Sequence, residues 1–277
     1  MDLASEIKNN VAAALAEDVG NGDATAALVP AGSQGHARVI TREDAVLCGC
    51  AWFDEVFGQV DATVRVQWHA REGAWVKAGE AICEIRGPAR SLLTAERSAL
   101  NFLQLLSGVA SKTRRYVEAV SGTRARILDT RKTLPGLRRA LKYAVQTGGG
   151  SNHRMGLYDG VLIKENHVAA AGGIPQVMAA TARIAGSLPI QIEVENLADL
   201  RLAIEHGATL ILLDNFDLDG LRKAVQAARG RAELEASGGV TLENVRAVAE
   251  TGVDRISIGA LTKDVKAIDL SMRFLEL

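Results

Sequence analysis

Aromatic residues and cysteines are scarce in this 277-residue sequence, and both shortages narrow the possible functions. Aromatics make up only 4% of the chain, and no basic stretch has aromatics interleaved with it. Proteins that bind single-stranded nucleic acid use such stretches to stack bases, so we expect no nucleic-acid partner. The three cysteines, Cys48, Cys50 and Cys83, lack metal-ligand and C-x-x-C spacings. We predict that they are reduced thiols in a core.

Long hydrophobic runs are also missing from the sequence. No stretch of 18 apolar residues occurs, which argues against a membrane-spanning helix. The apolar segment VAAALAEDVG at residues 11–20 is short, contains acids and follows a segment of mixed charge. It is therefore unlike a signal peptide, and we expect a cytoplasmic protein with no membrane partner.

The remaining composition is typical of a globular protein. Hydrophobic residues form 48% of the chain, which is enough for the core of one large or two modest domains. Residues 2–17 have helical periodicity, and extended segments follow around residues 36–41 and 63–69. Residues 91–121 then form a long helical pattern that Gly122 ends.

From residue 125 onward, short apolar strands alternate with helical patterns. Helices are predicted at residues 197–206, 218–229 and 242–250. Alternation with short connections predicts a parallel sheet. Periodicity alone leaves open an α/β barrel and a doubly wound open sheet, and the six predicted strands are fewer than the eight of a complete barrel. The predicted strands are residues 126–129, 160–164, 190–195, 210–214, 233–236 and 255–258.

Polar or turn-forming residues follow the C-terminal end of each predicted strand. In α/β barrels this end is the active face, because the loops there converge on one mouth. We therefore predict one functional site built from these strand ends. The residues are Asp129 to Lys132, Lys164 to Asn166, Glu193 and Glu195, Asp214 and Asn215, Ser237 to Gly239, and Gly259 and Ala260.

Positive charge is concentrated in residues 124–167. This segment has nine Lys and Arg against three acids, a net charge of +6, whereas the whole chain carries −1. Such a patch attracts anions, and Arg matches carboxylate or phosphate in two-point contact. Arg138, Arg139 and Lys142 have helical spacing and are predicted to lie mostly on the surface. The residues predicted to bind a small polyanion are Arg131, Lys132, His153, Arg154 and Lys164.

Carboxylates are placed on two neighbouring strands. Glu193 and Glu195 alternate with apolar residues, so both face one side of their strand. Asp214 ends the next strand. Carboxylates in this arrangement suit a hard divalent cation such as Mg²⁺, or ribose hydroxyls. The alternative, strongest for Glu195, is a salt bridge with the basic residues opposite.

Two further motifs allow more than one interpretation. Residues 237–241, SGGVT, follow a strand and precede a helical pattern, which favours either an anion cradle of backbone N–H groups or a plain tight turn. His153 and His167 have no further ligand at zinc spacing, so we predict no zinc site. His206 is predicted to cap a helix.

Lys164 also suits a different class of enzyme. A lysine at a barrel strand end is the arrangement that carbonyl lyases use to form a Schiff base. The neighbouring cations Arg131, Lys132 and Arg154 favour a dianionic substrate instead. A non-catalytic ligand-binding protein is the remaining alternative.

Three blocks of this region resemble the quinolinate phosphoribosyltransferase family. They are LDTRKT at residues 128–133, GGG-x-NHR-x-GL-x-D at residues 148–159 and LIKENH at residues 162–167. The similarity extends from LAEDVGNGDAT at residues 15–25 to SIGALT at residues 257–262. In one departure, the chain reads ALTKD at residues 260–264 where the family commonly has ALTHS, so Lys263 replaces a His that meets phosphate.

The resemblance implies a mixed α/β fold of the type II phosphoribosyltransferase kind. An N-terminal α/β sandwich would span residues 1–108, with residues 265–277 packing back on it. An incomplete, irregular α/β barrel would span residues 109–264. The implied reaction transfers phosphoribosyl from 5-phosphoribosyl 1-pyrophosphate to quinolinate with decarboxylation in NAD biosynthesis, with Mg²⁺ accompanying the pyrophosphate. A related enzyme for another aromatic acid would lack the double-carboxylate clamp.

The resemblance also implies roles for individual residues. Arg97, in the ER-x-x-LN motif, would reach the neighbouring subunit's active site in a homodimer. Glu193 and Asp214 would hold the ribose and the metal-bound pyrophosphate. Catalytic residues would be Lys132, Lys164, Glu193 and Asp214. Substrate-binding residues would be Arg97, Arg131, His153, Arg154, Lys164, Ser237, Gly238, Gly239, Gly259 and Lys263.

Overall fold

A computed structural model describes residues 2–276 as alternating helices and strands with one short 3-10 turn at Ala26–Leu28. The helices are α1 (Leu3–Asp18), α2 (Cys50–Val60), α3 (Ala89–Ala119), α4 (Arg138–Thr147), α5 (Glu165–Ala171), α6 (Ile174–Ile184), α7 (Leu197–Glu205), α8 (Leu218–Ala228), α9 (Val245–Ala249) and α10 (Ala260–Lys263). The strands are β1 (Gln34–Thr41), β2 (Ala45–Val46), β3 (Arg65–Trp68), β4 (Trp75–Val76), β5 (Ala81–Pro88), β6 (Arg126–Leu128), β7 (Val161–Ile163), β8 (Ile190–Val194), β9 (Leu210–Asp214), β10 (Glu233–Ser237), β11 (Arg255–Ser257) and β12 (Leu270–Glu276).

The chain forms two compact units. The first contains residues 2–114, 133–149 and 262–276, and the second contains residues 115–132 and 150–261. The predicted domains of 1–108 with 265–277, and of 109–264, differ from this grouping chiefly at residues 133–149, which carry α4. Among residues 2–276, no helix is long and apolar enough to cross a membrane.

The first unit is built on an antiparallel sheet with strand order β12-β1-β5-β3 and a small β2-β4 pair. Its core is mainly aliphatic but includes the fully buried aromatic residues Trp52 and Phe53 of α2. Glu72 accepts hydrogen bonds from the N–H groups of Gly49 and Cys50 at 2.8 and 3.0 Å. This carboxylate satisfies the orphan donors at the start of α2, which Gly49 cannot do because it has no side chain.

The three cysteines belong to this unit and are free thiols. Cys48 and Cys83 are buried, while Cys50 is partly exposed. Burial is the main cause that raises the pKa of each thiol above its ordinary value. The predicted core position is therefore confirmed for Cys48 and Cys83, whereas Cys50 is only partly buried.

A charge cluster crosses the sheet of the first unit at Glu84. Arg38 donates to Glu84 Oε1 at 2.7 Å, and His36 Nε2 lies 2.8 Å from Glu84 Oε2. His69 and Arg86 approach the same carboxylate at 3.8 Å. The hydrogen bonds from Arg38 and then from His36 lower the pKa of Glu84 to about 2.

We expect Glu84→Gln to destabilise the protein in a pH-dependent way. A carboxyl whose folded pKa is depressed stabilises the fold above its ordinary pKa of 4.5, and this contribution is lost as pH falls toward about 2. The variant should therefore melt below wild type at pH 7, and the gap should close across that interval. Thermal unfolding from pH 7 to 2 measures it, with Glu250→Gln, in an exposed pair with Arg246, as the control. A gap independent of pH would contradict the prediction.

The second unit contains six parallel strands in the order β6-β11-β10-β9-β8-β7. Consecutive strands β7 to β11 are neighbours, and β6 pairs with β11, so β6 and β7 are the two edge strands of this sheet. The central residues of β9 and β10 are buried, as expected for strands covered on both faces. The predicted mixed α/β fold, with an N-terminal sheet unit and a C-terminal parallel-strand unit, is confirmed.

One surface prediction is wrong. Lys142 is fully buried, because it lies on the part of α4 that also buries Ala140, Leu141 and Ala144. Arg138 and Arg139 are only partly exposed. A lysine is buried in this way only when its charge is compensated. Helical spacing alone did not reveal that α4 is packed over most of its circumference.

Candidate active site

Every strand of the second unit contributes to one cleft at the carboxyl ends of the strands. The cleft has a volume of about 220 Å³. Lys164 follows β7, Glu193 lies near the end of β8, and Asp214 and Ser237 end β9 and β10. The residues that follow the predicted strands thus line one concavity. The lining residues are Thr130, Arg131, Lys132, His153, Arg154, Leu162, Lys164, Glu193, Leu212, Asp214, Glu235, Ser237 and Ser257.

Two guanidinium groups, Arg131 and Arg154, form part of the wall of the cleft. Arg154 Nη1 donates to the carbonyl of Gly160 at 2.9 Å, whereas its buried Nε has no hydrogen-bond partner among the described residues. Burial, followed by the nearby positive charge of Arg131, lowers the pKa of Arg154. Two cations held close together in this way favour an anionic ligand.

The turn after Arg154 is held by Asp159. Its two carboxylate oxygens accept hydrogen bonds from the N–H groups of Met155 and Gly156 at 2.7 and 2.9 Å. Asp159 therefore holds the backbone of this loop, and its negative charge partly opposes the lowering of the Arg154 pKa.

On another side of the cleft, Lys164 forms an ion pair with Glu193. Lys164 Nζ donates to the two Glu193 oxygens at 3.2 and 3.0 Å, and the Glu193 side chain is only 8% exposed. Burial raises the pKa of Glu193, and the Lys164 ion pair opposes that effect. An amine nucleophile would first have to leave this carboxylate, so the geometry disfavours the Schiff-base alternative.

Asp214 differs from Glu193 in its surroundings. Its Oδ2 accepts a hydrogen bond from Asn215 Nδ2 at 2.8 Å, and among residues 2–276 it makes no ion pair. Its negative charge contributes to the raised pKa of Glu193. Of these two carboxylates, Glu193 is compensated by Lys164, whereas the charge of Asp214 is available to a ligand.

His153 is held from three directions. Its backbone N–H donates to buried Asp129 Oδ1 at 2.9 Å, and its Nδ1 accepts the N–H of Arg154 at 2.9 Å. Its Nε2 lies 2.9 Å from Gln191 Oε1. Because Nδ1 acts as an acceptor, the ring proton belongs on Nε2, which then donates to Gln191.

The loop after β10 approaches the end of β9. Gly238 has φ +101°, and a Cβ there would overlap the Asn215 side chain. The predicted helix start at this loop is wrong, because α9 begins only at Val245. Asn244 holds the intervening segment as a loop, donating to the carbonyl of Gly239 at 3.0 Å and accepting from the N–H of Thr241 at 2.9 Å. Any anion cradle here would use loop backbone rather than a helix end.

Gly259, which follows β11, lies beside two residues that line the cleft, Lys132 and Thr130. A Cβ at this position would lie 3.1 Å from Lys132 Cδ and 3.6 Å from Thr130 Oγ1. The Lys132 stem therefore runs close to the backbone of Gly259, and Thr130 Oγ1 accepts the Lys132 N–H at 3.0 Å. A side chain at residue 259 would displace Lys132.

We expect Gly238→Ala to reduce the stability of the protein. Positive φ strain and the overlap with Asn215 together cost about 2–4 kcal/mol. Gly230→Ala is the matched control, because Gly230 has φ +75° but a Cβ there would meet no atom within 4 Å. Thermal unfolding should rank wild type above Gly230→Ala and Gly230→Ala above Gly238→Ala. Equal melting temperatures of the two variants would show that the close approach to Asn215 does not contribute to the destabilisation.

Some residues identified from the sequence lie elsewhere. Arg97 is exposed on α3 in the first unit, and Lys263 ends α10 in the same unit, 3.7 Å from Asp264. Glu195 is exposed just beyond the end of β8. His167 Nδ1 accepts the N–H of Lys164 at 3.0 Å, and His206 caps α7, as predicted for His206.

Gln191 and Glu235 are not among the site residues predicted from the sequence. Glu235 lines the cleft although its side chain is fully buried, and Gln191 Nε2 donates to Glu235 Oε2 at 3.0 Å. A signal was present in the sequence. Gln191 alternates in phase with Glu193, and Glu235 alternates in phase with Ser237, so both face the same side as the chosen residues.

Comparisons with known proteins agree with this architecture. The model of the quinolinate phosphoribosyl transferase C-terminal domain matches residues 109–273, and that of its N-terminal domain matches residues 23–107. A nicotinate-nucleotide pyrophosphorylase [carboxylating] of Mycobacterium leprae is 43% identical over 274 residues, covering 96% of each chain.

Two further relatives are similar over nearly the whole chain. A probable nicotinate-nucleotide pyrophosphorylase [carboxylating] of Bacillus subtilis is 42% identical over 257 residues, which cover 92% of this chain and 89% of the relative. The solved nicotinate-nucleotide pyrophosphorylase of Francisella tularensis has a TM-score of 0.96 and 43% identity, covering 99% of this chain and 98% of that one. The chain belongs to the quinolinate phosphoribosyltransferase family.

Proposed function

We propose that the cleft of the second unit transfers the phosphoribosyl group of 5-phosphoribosyl 1-pyrophosphate to quinolinate. The products are nicotinate mononucleotide, pyrophosphate and carbon dioxide, and the reaction serves NAD biosynthesis. The family and the carboxylating pyrophosphorylases at about 40% identity support this reaction. We expect it to take place in the cytoplasm, where free cysteines such as Cys48 remain reduced.

The observation that carries the substrate assignment is the pair of guanidinium groups in the cleft. Quinolinate is a dicarboxylate, and Arg131 and Arg154 supply two planar forks of donors. Lys164 and Lys132 add positive charge at the same cleft. In this proposal the cations hold both carboxylates and place the pyridine nitrogen opposite C1 of the ribose, where positioning lowers the barrier.

The carboxylates would act on the sugar. Departure of pyrophosphate leaves positive charge on the ribose, which Asp214 and Glu193 stabilise electrostatically. After transfer, the pyridinium ring can accept the electron pair released when the adjacent carboxylate leaves as carbon dioxide. A proton from water then adds to the ring carbon that carried this carboxylate, so the last step needs no protein base.

The residues fit a Mg²⁺ ion that arrives with pyrophosphate. Mg²⁺ is usually held by one or two carboxylates together with substrate phosphates rather than by an all-protein cage. Asp214 supplies a carboxylate without an ion pair among residues 2–276, and Glu193 lies beside it at the cleft. These two residues would hold the ion, which would neutralise charge on the leaving pyrophosphate.

Backbone donors would bind the 5'-phosphate. Ser237, Gly238 and Gly239 form a loop with two positive-φ glycines at the mouth of the cleft, and Gly259 leaves space beside Lys132. Successive N–H groups in such loops form anion-binding concavities. Lys263 would contribute a point charge to phosphate.

We expect the functional unit to be a homodimer in which Arg97 enters the partner's site. Arg97→Ala and Arg154→Ala should each be inactive alone. A mixed dimer would then contain one site with both arginines, so random mixing after denaturation and refolding should restore about a quarter of wild-type activity. Size-exclusion chromatography with light scattering gives the mass of the assembly. A monomer, or a mixture as inactive as its components, would contradict the shared site.

One assay tests the reaction itself. Purified protein is incubated with Mg²⁺, 5-phosphoribosyl 1-pyrophosphate and quinolinate, and nicotinate mononucleotide is followed, with nicotinate replacing quinolinate as the control. Product from quinolinate alone supports the carboxylating reaction and the two-carboxylate clamp. Product from nicotinate alone would favour a related transferase that uses a monocarboxylate.

A further inference from the structure

A buried chain of hydrogen bonds runs from the interior of the parallel sheet to Arg154. Glu235 on β10 accepts from Gln191 Nε2 on β8 at 3.0 Å, and Gln191 Oε1 lies 2.9 Å from His153 Nε2. His153 Nδ1 in turn accepts the N–H of Arg154 at 2.9 Å. Four residues from two strands and one loop are thus connected without a gap.

The donor and acceptor chemistry of these groups gives the series of hydrogen bonds one direction. A carboxylate only accepts, so Gln191 must turn its NH₂ toward Glu235 and its carbonyl toward His153. The carbonyl then requires a donor, which places the ring proton on Nε2. Nδ1 is left as the acceptor that the N–H of Arg154 needs. The links are mutually consistent, so the Gln191 carbonyl on one side of the ring and the Arg154 N–H on the other both favour the Nε2–H tautomer of His153.

Burial of the Glu235 side chain opposes folding, which is typical of a residue that is retained for a functional role. Its side chain is fully buried, and Oε1 has no hydrogen-bond partner among the described residues, although it lies 3.7 Å from His153 Nε2. Burying an incompletely paired carboxylate opposes folding. Gln191 is likewise buried, on a strand whose residues Ile192 and Val194 are apolar. Such local conflicts with packing are expected at functional sites.

We propose that Gln191 and Glu235 are positioning residues that fix His153 as the Nε2–H tautomer and, through it, set the backbone of Arg154 for substrate binding. This inference rests on the proposed function, in which Arg154 binds a carboxylate of quinolinate. Neither residue touches the substrate in this account. Gln191 and Glu235 would affect the substrate through the backbone and the guanidinium of Arg154. The Arg154 Nη1 donates to the carbonyl of Gly160 at 2.9 Å.

The experiment combines a spectroscopic and a binding measurement on the full chain. Long-range ¹H–¹⁵N spectra of the ligand-free protein report which ring nitrogen of each histidine is protonated, and loss of a signal in His153→Asn identifies His153. Gln191→Leu removes both links at similar volume, and Glu235→Gln removes the charge at constant shape. Thr181→Val is the control, because Thr181 is buried in the same unit and donates to Val177 O at 2.7 Å, away from this chain of hydrogen bonds.

Wild type should show His153 as the Nε2–H tautomer, and both variants should show tautomer exchange. Their Kd for quinolinate should rise about tenfold, the effect of losing one hydrogen bond in a charge-terminated chain, with the Kd for 5-phosphoribosyl 1-pyrophosphate unchanged. Thr181→Val should alter neither. If His153 keeps its tautomer and the quinolinate Kd is unchanged in Gln191→Leu, the inference is overturned.

A merely structural role predicts a different pattern. Affinity for both substrates would then fall together with the melting temperature, and this outcome would also overturn the inference. A wild type that binds no quinolinate would instead overturn the proposed function and the substrate half of this inference. The tautomer measured without ligand tests the hydrogen-bond chain independently of that result.

Discussion

Arg154→Ala should reduce kcat/KM for quinolinate by at least about 100-fold while leaving the fold intact. A hydrogen bond to a charged group contributes about 1.5–3 kcal/mol, so loss of a two-point contact removes roughly 3–6 kcal/mol of binding. The fold should tolerate the change, because within the described part of the chain the Arg154 side chain donates a hydrogen bond only to Gly160. Removing a partly buried cation that Arg131 repels also relieves like-charge repulsion.

Two variants separate the possible causes of such a loss. Arg154→Lys keeps the charge but not the planar fork, so it should recover only part of the affinity. Arg201→Ala removes an exposed arginine of α7 in the same unit and should behave as wild type. Steady-state kinetics with each substrate varied, together with thermal unfolding, distinguish the cases. Normal turnover by Arg154→Ala would remove this residue from the site.

The sequence predicted the second unit well because its signals are local. Each strand of a parallel sheet is a short apolar run, and polar residues mark the point where it leaves the core. The predicted strand at residues 210–214 coincides with β9, and the other five differ from the structure by one residue at one or both ends. The cleft followed from the same rule, because parallel strand ends meet at one edge.

The failures have a different physical origin, since each depends on contacts between distant segments. Lys142 is buried because α4 is covered over most of its surface, which periodicity within ten residues does not encode. The helix after Gly239 starts late because Asn244 bonds back to that loop. Gln191 and Glu235 are 44 residues apart, and only the pairing of β8 and β10 with β9 places them in contact.

Asp214→Asn should produce the second large effect, acting on the ribose half of the reaction. Asp214 is the cleft carboxylate without an ion pair in the described chain, whereas Lys164 compensates Glu193. Loss of its charge should lower kcat by roughly 100-fold, the effect of removing one well-placed electrostatic stabiliser. The KM for 5-phosphoribosyl 1-pyrophosphate should rise as well, because Asp214 is an expected Mg²⁺ ligand. Glu193→Gln should lower kcat less, because this substitution also releases Lys164 from its ion pair with Glu193.

The pH profile of Asp214→Asn gives a test that a loss of folding would not mimic. Burial is the main cause of the raised pKa of Glu193, and the Asp214 charge adds to it. Removing that charge lowers the pKa of Glu193, so Glu193 stays ionised to lower pH and the acid limb of kcat should shift downward. Asp219→Asn, which breaks only an exposed pair with Lys223, should leave rate and profile unchanged. If the acid limb does not move, the charge of Asp214 does not affect the ionisation of Glu193. The loss of rate would then come from metal binding alone.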